Sequence, residues 1–356
     1  MDFLSAAHQA HRSACRMCVL IAASSIAISS CKDQSEENFE RMELSGQQSA
    51  PVIIPSHTNV YVASDLIFNS SSDSALVIEG EVHFYIDAGV SITLPQGLIL
   101  PPNHQVLFTS SGAASWRGIE FGTGDLLLQD VEISKCDFGL VSNGANLIVL
   151  NSCNIRQITQ TAIQITNVDS MLISACNITD AGRYGIFSEH NCPSLNITNS
   201  DIGFCAEGIR INRGQLRLYN TYVHDCSTIG IYTHLESASV ISHCDFNDNN
   251  VHLWFQNTRD LDVQYNQLHS SSDFPIKIVQ RSGTFLFASN NVNPNISGYL
   301  VNLEDGDFVA EGNYWGSVDS LSISAGMYDG HLVPGRGLVD YSPFLLAAVP
   351  TAGIED

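Results

Sequence analysis

The sequence predicts an all-β solenoid, a parallel β-helix of coils of about 22–23 residues with three short strands each. Three observations predict it. Between Ile133 and Trp315 a small or polar residue, a spacer and a large apolar residue recur, as in Cys153-Asn154-Ile155, Cys176-Asn177-Ile178, Cys244-Asp245-Phe246 and Asn290-Asn291-Val292, at intervals of 22, 23, 24, 21, 23, 22, 24 and 23 residues. A second column keeps step: Gly139-Leu140, Ala162-Ile163, Gly185-Ile186, Gly208-Ile209, Gly230-Ile231, Asn250-Val251, Pro275-Ile276 and Tyr299-Leu300, most of them opening a run that alternates apolar and polar residues. A third apolar set, Leu147/Val149, Leu195/Ile197, Leu216/Leu218 and Leu261/Val263, completes the coil. Alternation at period two marks a strand with one buried face. Stacking equivalent strands one coil apart then buries a continuous core.

The small position of the first column tests this arrangement. Asn266, Asn290 and Asn313 share it with Cys153, Cys176, Cys244, Ser200 and Thr221. Stacked amides satisfy buried donors and acceptors between coils, and thiols fill the same slot without a polar cost. Cys136, Cys205 and Cys226 form another column, three residues after the apolar anchors. Stacked, parallel Cβ vectors give poor disulfide torsions, so these positions read as buried thiols, with a bridge such as Cys205 to Cys226 as the alternative.

Along the chain, Arg12 and Arg16 precede an apolar run from Cys18 to Ile28, too short to span a bilayer but suited to a secretion signal. Its ending, Ile28-Ser29-Ser30-Cys31, resembles a bacterial lipobox, which implies residues 1–31 as signal peptide, Cys31 as the lipidated residue, and a location in the outer membrane or on the cell surface. Residues 32–50, rich in Glu, Gln and Ser, are expected as a flexible acidic tether, 51–125 as an N-terminal cap with the first coils, 126–316 as the regular repeats and 317–356 as a C-terminal cap. The formal net charge of −22 excludes nucleic acid as a partner and disfavours polyanions that no cation bridges. A monomer is expected, because no long exposed apolar seam is evident in the pattern.

Asn313-Tyr314-Trp315-Gly316, Met327-Tyr328-Asp329-Gly330 and Val339-Asp340-Tyr341-Ser342-Pro343-Phe344-Leu345 resemble the terminal signature of bacterial right-handed parallel β-helix repeat proteins. Val106-Leu107-Phe108-Thr109-Ser110 with Trp116-Arg117-Gly118-Ile119 is similar to their first coil, and with the repeats the resemblance covers about residues 76–346. It implies a right-handed, pectate-lyase-like fold. It does not imply one activity, since that architecture hosts lyases, hydrolases, epimerases, adhesins and structural spikes.

Residues alternating with the core of the second column face outward. They include Phe187 and Glu189, Arg210 and Asn212, Tyr232 and His234, His252 and Trp254, and Lys277. As a binding face for a polysaccharide or cell-surface glycan, Phe187, Tyr232 and Trp254 would offer ring faces while Glu189, Arg210, Asn212 and His252 direct hydrogen bonds. As a catalytic face it resembles the groove of polysaccharide lyases, with Arg210, His234, His252 and Lys277 as weak candidates for the proton-abstracting base. Such lyases commonly hold Ca²⁺, yet no cluster of Asp residues recurs here, so no metal ligand and no cofactor is assigned. Nor does the chain carry the Asn-Thr-Asp, Asp-Asp and Gly-His-Gly series of polygalacturonase-type hydrolases. The third reading is a scaffold whose outward residues are merely favourable cross-strand pairs.

Overall fold

The computed structural model describes residues 39–69, 75–100, 104–235, 237–294 and 297–355, which belong to one compact unit. The expected signal segment and Cys31 lie outside the described residues. Each coil contributes three strand runs, and each run pairs in parallel with its equivalent in the next coil. The first anchors stack in register as Ile133, Ile155, Ile178, Ile202, Val223, Phe246, Leu268 and Val292. The second stack as Leu140, Ile163, Ile186, Ile209, Ile231, Leu253, Ile276 and Leu300. Both runs share one 21-stranded sheet, and the third run forms a nine-stranded sheet. The fold is an all-β parallel solenoid with repeats of ~23 residues and one uninterrupted buried core.

The chain turns its corners by left-handed backbone. Ser152, Ala175, Asn199, Asn220, His243, Tyr265 and Ser289 all have positive φ immediately before the small slot, and Gly312 does the same before Asn313. Such a corner aims the next N–H along the stack instead of into the sheet, where it needs an acceptor. The side chain one coil on supplies it. Cys176 donates its N–H to Ser200 Oγ at 3.1 Å, Cys244 to Asn266 Oδ1 at 2.9 Å, Asn266 to Asn290 Oδ1 at 3.0 Å and Asn290 to Asn313 Oδ1 at 2.9 Å. Asn290 Nδ2 also donates to Val263 O and Asn313 Oδ1, so the amide is satisfied although fully buried. Cys136, Cys153, Cys176, Cys192, Cys205, Cys226 and Cys244 are free and buried. Burial pushes the Cys192 and Cys205 thiols up to about 11, which keeps them unreactive.

Three expectations about particular stretches change. Within residues 32–50, Glu40–Gln48 is a strand paired with Thr58–Phe68 rather than tether. Met42 and Leu44 pack on the core there, and an otherwise bare first edge is covered. Leu147 and Val149 face outward, because Ile148 and Leu150 occupy the core phase of Leu147–Asn151. In the coil after Gly230-Ile231 the second anchor is Leu253, not Val251. At the other end Ser320–Ala325 forms a short helix capped by Asp319. Residues 349–355 then run back along the stack, with Val349 N–H on Asn291 Oδ1, Gly353 N–H on Tyr265 O and Glu355 N–H on Asn220 Oδ1. No helix of the described residues is long and apolar enough to cross a membrane.

Asn290→Ala strips an acceptor from a buried N–H and is expected to lower unfolding stability by about 3 kcal/mol, whereas Asn290→Ser keeps an oxygen in the slot and is expected to cost about 1 kcal/mol. Urea denaturation followed by circular dichroism measures both. Equal losses would show that slot volume, not the ladder, carries the stability.

Candidate functional site

Register brings Phe187, Arg210, Tyr232, Trp254 and Lys277 into one outward row across five successive coils. The row is a stack of cations and rings. Arg210 Cζ sits 4.2 Å from the Tyr232 centroid and Lys277 Nζ 5.2 Å from the Trp254 centroid. Tyr232 and Trp254 meet edge to face at 5.8 Å, and Phe187 stacks on Tyr184 at 4.8 Å. Both cations are neutralised: Arg210 Nη1 donates to both Glu207 carboxylate oxygens at 3.0 Å, and Lys277 Nζ donates to Asp273 Oδ2 at 2.7 Å. Arg210 Nε also reaches Asn212 Oδ1 at 3.4 Å, and Glu189 Oε2 accepts from Thr166 Oγ1 at 3.3 Å.

Two expectations about this face are corrected. His252 is not on it: it is fully buried, at the position that Gly230 occupies one coil earlier. Its Nδ1 takes a hydrogen bond from Asn249 Nδ2 at 3.1 Å, and burial lowers its pKa to about 3, so it stays a neutral core imidazole. Tyr232 offers no open ring face either. It is 7 % exposed, packed with Ile229 and Val251 and roofed by Arg210. Trp254 is half-buried against the same cluster.

His234 keeps the outward position assigned to it, beside Asn257 at 3.2 Å and with its ring 5.9 Å from that of Tyr232. Burial first, and the Arg210 charge second, hold its pKa below the usual imidazole value, so it is uncharged at neutral pH. Just past it lies a recess of about 400 Å³ lined by Arg213, Leu235, Asn257, Gln280, Arg281 and Ser282. A larger recess of about 760 Å³ opens on the first-run face, among Glu81, His83, Gln105, Leu107, Asp130, Glu132, Ser152 and Asn154. Periodicity reading missed both, since a hollow depends on side-chain lengths at corners rather than on alternation. Among the described residues no group of three or more His, Cys, Asp or Glu side chains could hold a metal ion.

A second cluster also escaped the sequence. His224 is sandwiched on the first-run face, with Nε2 2.7 Å from Asp201 Oδ1, Nδ1 2.7 Å from Asp225 Oδ2, and its ring stacked on Tyr222 at 4.2 Å. Burial opposes its protonation, but the two carboxylates outweigh burial and raise its pKa. His269 is raised by its hydrogen bond to Asp245. A raised folded-state pKa means that the His224 contribution is complete below the unfolded value of about 6.5 and is lost as pH rises through the folded value. Replacing His224 by Gln is therefore expected to destabilise the fold more at about pH 5.5 than at about pH 9. Denaturant titrations of both proteins at the two pH values decide this, and a loss independent of pH would refute an imidazolium clamp.

In sequence, residues 95–211 and 162–314 match the family described as right handed beta helix region, which spans more than half of the chain. No curated protein sequence matches the chain. A crystal structure of a mutant of the periplasmic alginate epimerase AlgG is similar over 85 % of this chain and 78 % of that one, at 12 % identity and a TM-score of 0.47. With its coils stacked in register through the matched segments, the chain belongs to the right-handed β-helix family.

Proposed function

We propose that the protein is an extracytoplasmic rod, lipid-anchored at Cys31, that binds a neutral, hydroxyl-rich glycan along the second-run face without turning it over. The observation that carries this reading is the pairing of Arg210 with Glu207 and of Lys277 with Asp273. A base that abstracts a proton beside a uronate needs an unpaired cation nearby to steady the carboxylate, and the cations of this row are already spent on their own carboxylates. Apart from the Arg213 guanidinium at the recess, what the face still offers to a ligand is uncharged. Asn257 and Gln280 line the 400 Å³ recess, Asn212 and His234 precede its lining residues Arg213 and Leu235, and Trp254 stands on the strand that carries Asn257. A row repeated coil after coil suits a polymer whose own groups repeat, and convergent amides with an apolar edge suit sugar hydroxyls and ring faces.

Support for the anchor comes from Ile28-Ser29-Ser30-Cys31 after an apolar run. Labelling of the chain with a fatty-acid probe in a bacterial host should disappear in Cys31→Ser, and undiminished labelling would remove the anchor from this reading.

Arg213→Ala with Asn257→Gly is expected to reduce retention on a neutral polysaccharide array about tenfold with little change in the melting temperature, because Arg213 is exposed and glycine keeps the left-handed backbone of Asn257 (φ 52°) without strain. Unchanged retention would move the binding face elsewhere. Ultraviolet-absorbing, unsaturated products from a uronate polymer, lost in His234→Ala, would replace binding by the polysaccharide lyase reading.

A further inference from the structure

After the last coil, residues 349–355 return across four earlier ones and make contacts that do not depend on coils being neighbours. Two asparagines each clamp one residue of this segment by both of its backbone groups. Val349 N–H donates to Asn291 Oδ1 at 2.8 Å and Asn291 Nδ2 donates to Val349 O at 3.0 Å. Three coils earlier, Glu355 N–H donates to Asn220 Oδ1 at 2.7 Å and Asn220 Nδ2 to Glu355 O at 3.3 Å. Between the clamps Gly353 N–H reaches Tyr265 O at 2.8 Å. The Glu355 carboxylate is held as well: Tyr219 Oη donates to Oε2 at 2.7 Å, and His243 Nε2 lies 3.2 Å from Oε1. Beneath it Tyr219, His243 and Tyr265, one from each of three successive coils, form a column of rings spaced 5.2 and 5.1 Å apart.

Little apolar burial contributes to this hold. Pro350, Thr351 and Ile354 are exposed, and Gly353 alone of the seven residues is buried. The segment is therefore fixed by directed polar contacts, which single substitutions on the segment itself can remove. Its effect on the rod follows from chain entropy. A solenoid coupled only through neighbours opens from an end, coil by coil, because the terminal coil has one interface to lose. With residues 349–355 in place, the coils from Asn220 to Trp315 lie inside a loop whose far side is tied back at Asn220. Loosening one of them then frees a closed loop, which gains less entropy than a free end would. Partial opening is thus disfavoured until the clamps are released.

We propose that residues 349–355 are a strap that locks the coils from Asn220 to Trp315 into one cooperative unit, so that this end of the rod opens all together instead of fraying. Leu235, Asn257 and Gln280 of the recess belong to these coils, and the strap holds them in fixed positions relative to one another. The inference does not rest on the glycan reading, since the lock acts whether or not the recess is filled.

Native-state hydrogen exchange of the full chain, read by mass spectrometry, tests it. Val349→Pro with Glu355→Ala removes the N–H that Asn291 accepts and the carboxylate that Tyr219 and His243 hold, and leaves every residue of the coils in place. In the parent chain the strand amides between residues 221 and 315 are expected to exchange at a common rate. In the double variant exchange is expected to quicken about tenfold or more at residues 290–315 and by less at each coil back towards Thr221, a graded pattern that marks fraying. The coils of residues 131–198, which the strap does not touch, are expected to keep their rates. Graded exchange already present in the parent chain, or no acceleration at residues 290–315 in the variant, would overturn the proposal. So would an equal acceleration at residues 131–198, which would make the segment a general stabiliser and not a lock.

Discussion

Everything in this molecule depends on the corner. A coil of ~23 residues closes only if the backbone reverses direction sharply, and it does so through left-handed residues, many of them not glycine. That conformation costs an ordinary residue about 1–2 kcal/mol and turns an N–H away from its sheet partner. The cost is tolerated because the next coil answers it. Asn313 holds Asn290, Asn290 holds Asn266, and Asn266 holds Cys244, each by a side-chain oxygen at 2.9–3.0 Å from the backbone nitrogen behind it. No coil is complete without its successor. This is why capping elements lie at both ends: Glu40–Gln48 pairs with the first coil, and the Ser320–Ala325 segment packs Ile323 over the last.

How much of this could be read from the residues follows from the same physics. The slot and the anchors were legible because each must satisfy both a neighbour in sequence and one a coil away, and only a few residue types can. Phase within a strand was harder. In Leu147–Asn151 every one of the first four side chains is apolar, so alternation gives no direction, and it is Ile148 and Leu150 that fill the core. That ambiguity is what placed Leu147 and Val149 in the core when they face outward. His252 was misplaced for a different reason. The pair Asn250-Val251 imitates the second-column pattern, but the spacing from the first anchor settles the matter, since Leu253 follows Phe246 by 7 residues as Ile209 follows Ile202. The corners were legible only in part: asparagine or glycine marks those at Asn199, Asn220 and Gly312, whereas His243, Tyr265, Phe204 and Leu235 occupy left-handed positions without announcing them.

Parallel stacking also imposes an electrostatic constraint that a globular fold does not. Any charge placed on one coil faces its equivalent about 4.8 Å away on the next, where like charges repel. A chain with a net charge of −22 must therefore break up its columns. On the first-run face Asp201, Tyr222, Asp245 and Gln267 stand in register, acid alternating with neutral. His224 and His269 each bring a proton to the intervening acids at 2.7 and 2.9 Å. On the second-run face the two cations are held apart by Tyr232 and Trp254, with each charge lying over a ring and anchored to a carboxylate. The aromatic residues that look like a sugar platform in the sequence thus have a prior task as spacers between charges. This leaves the hydrogen-bonding capacity of that face at its margin, around Asn257 and Gln280, where the strands end and the corners begin. A ligand on this row would meet cations already paired with carboxylates in the middle, and the amides of Asn257 and Gln280 with the Arg213 guanidinium along the edge.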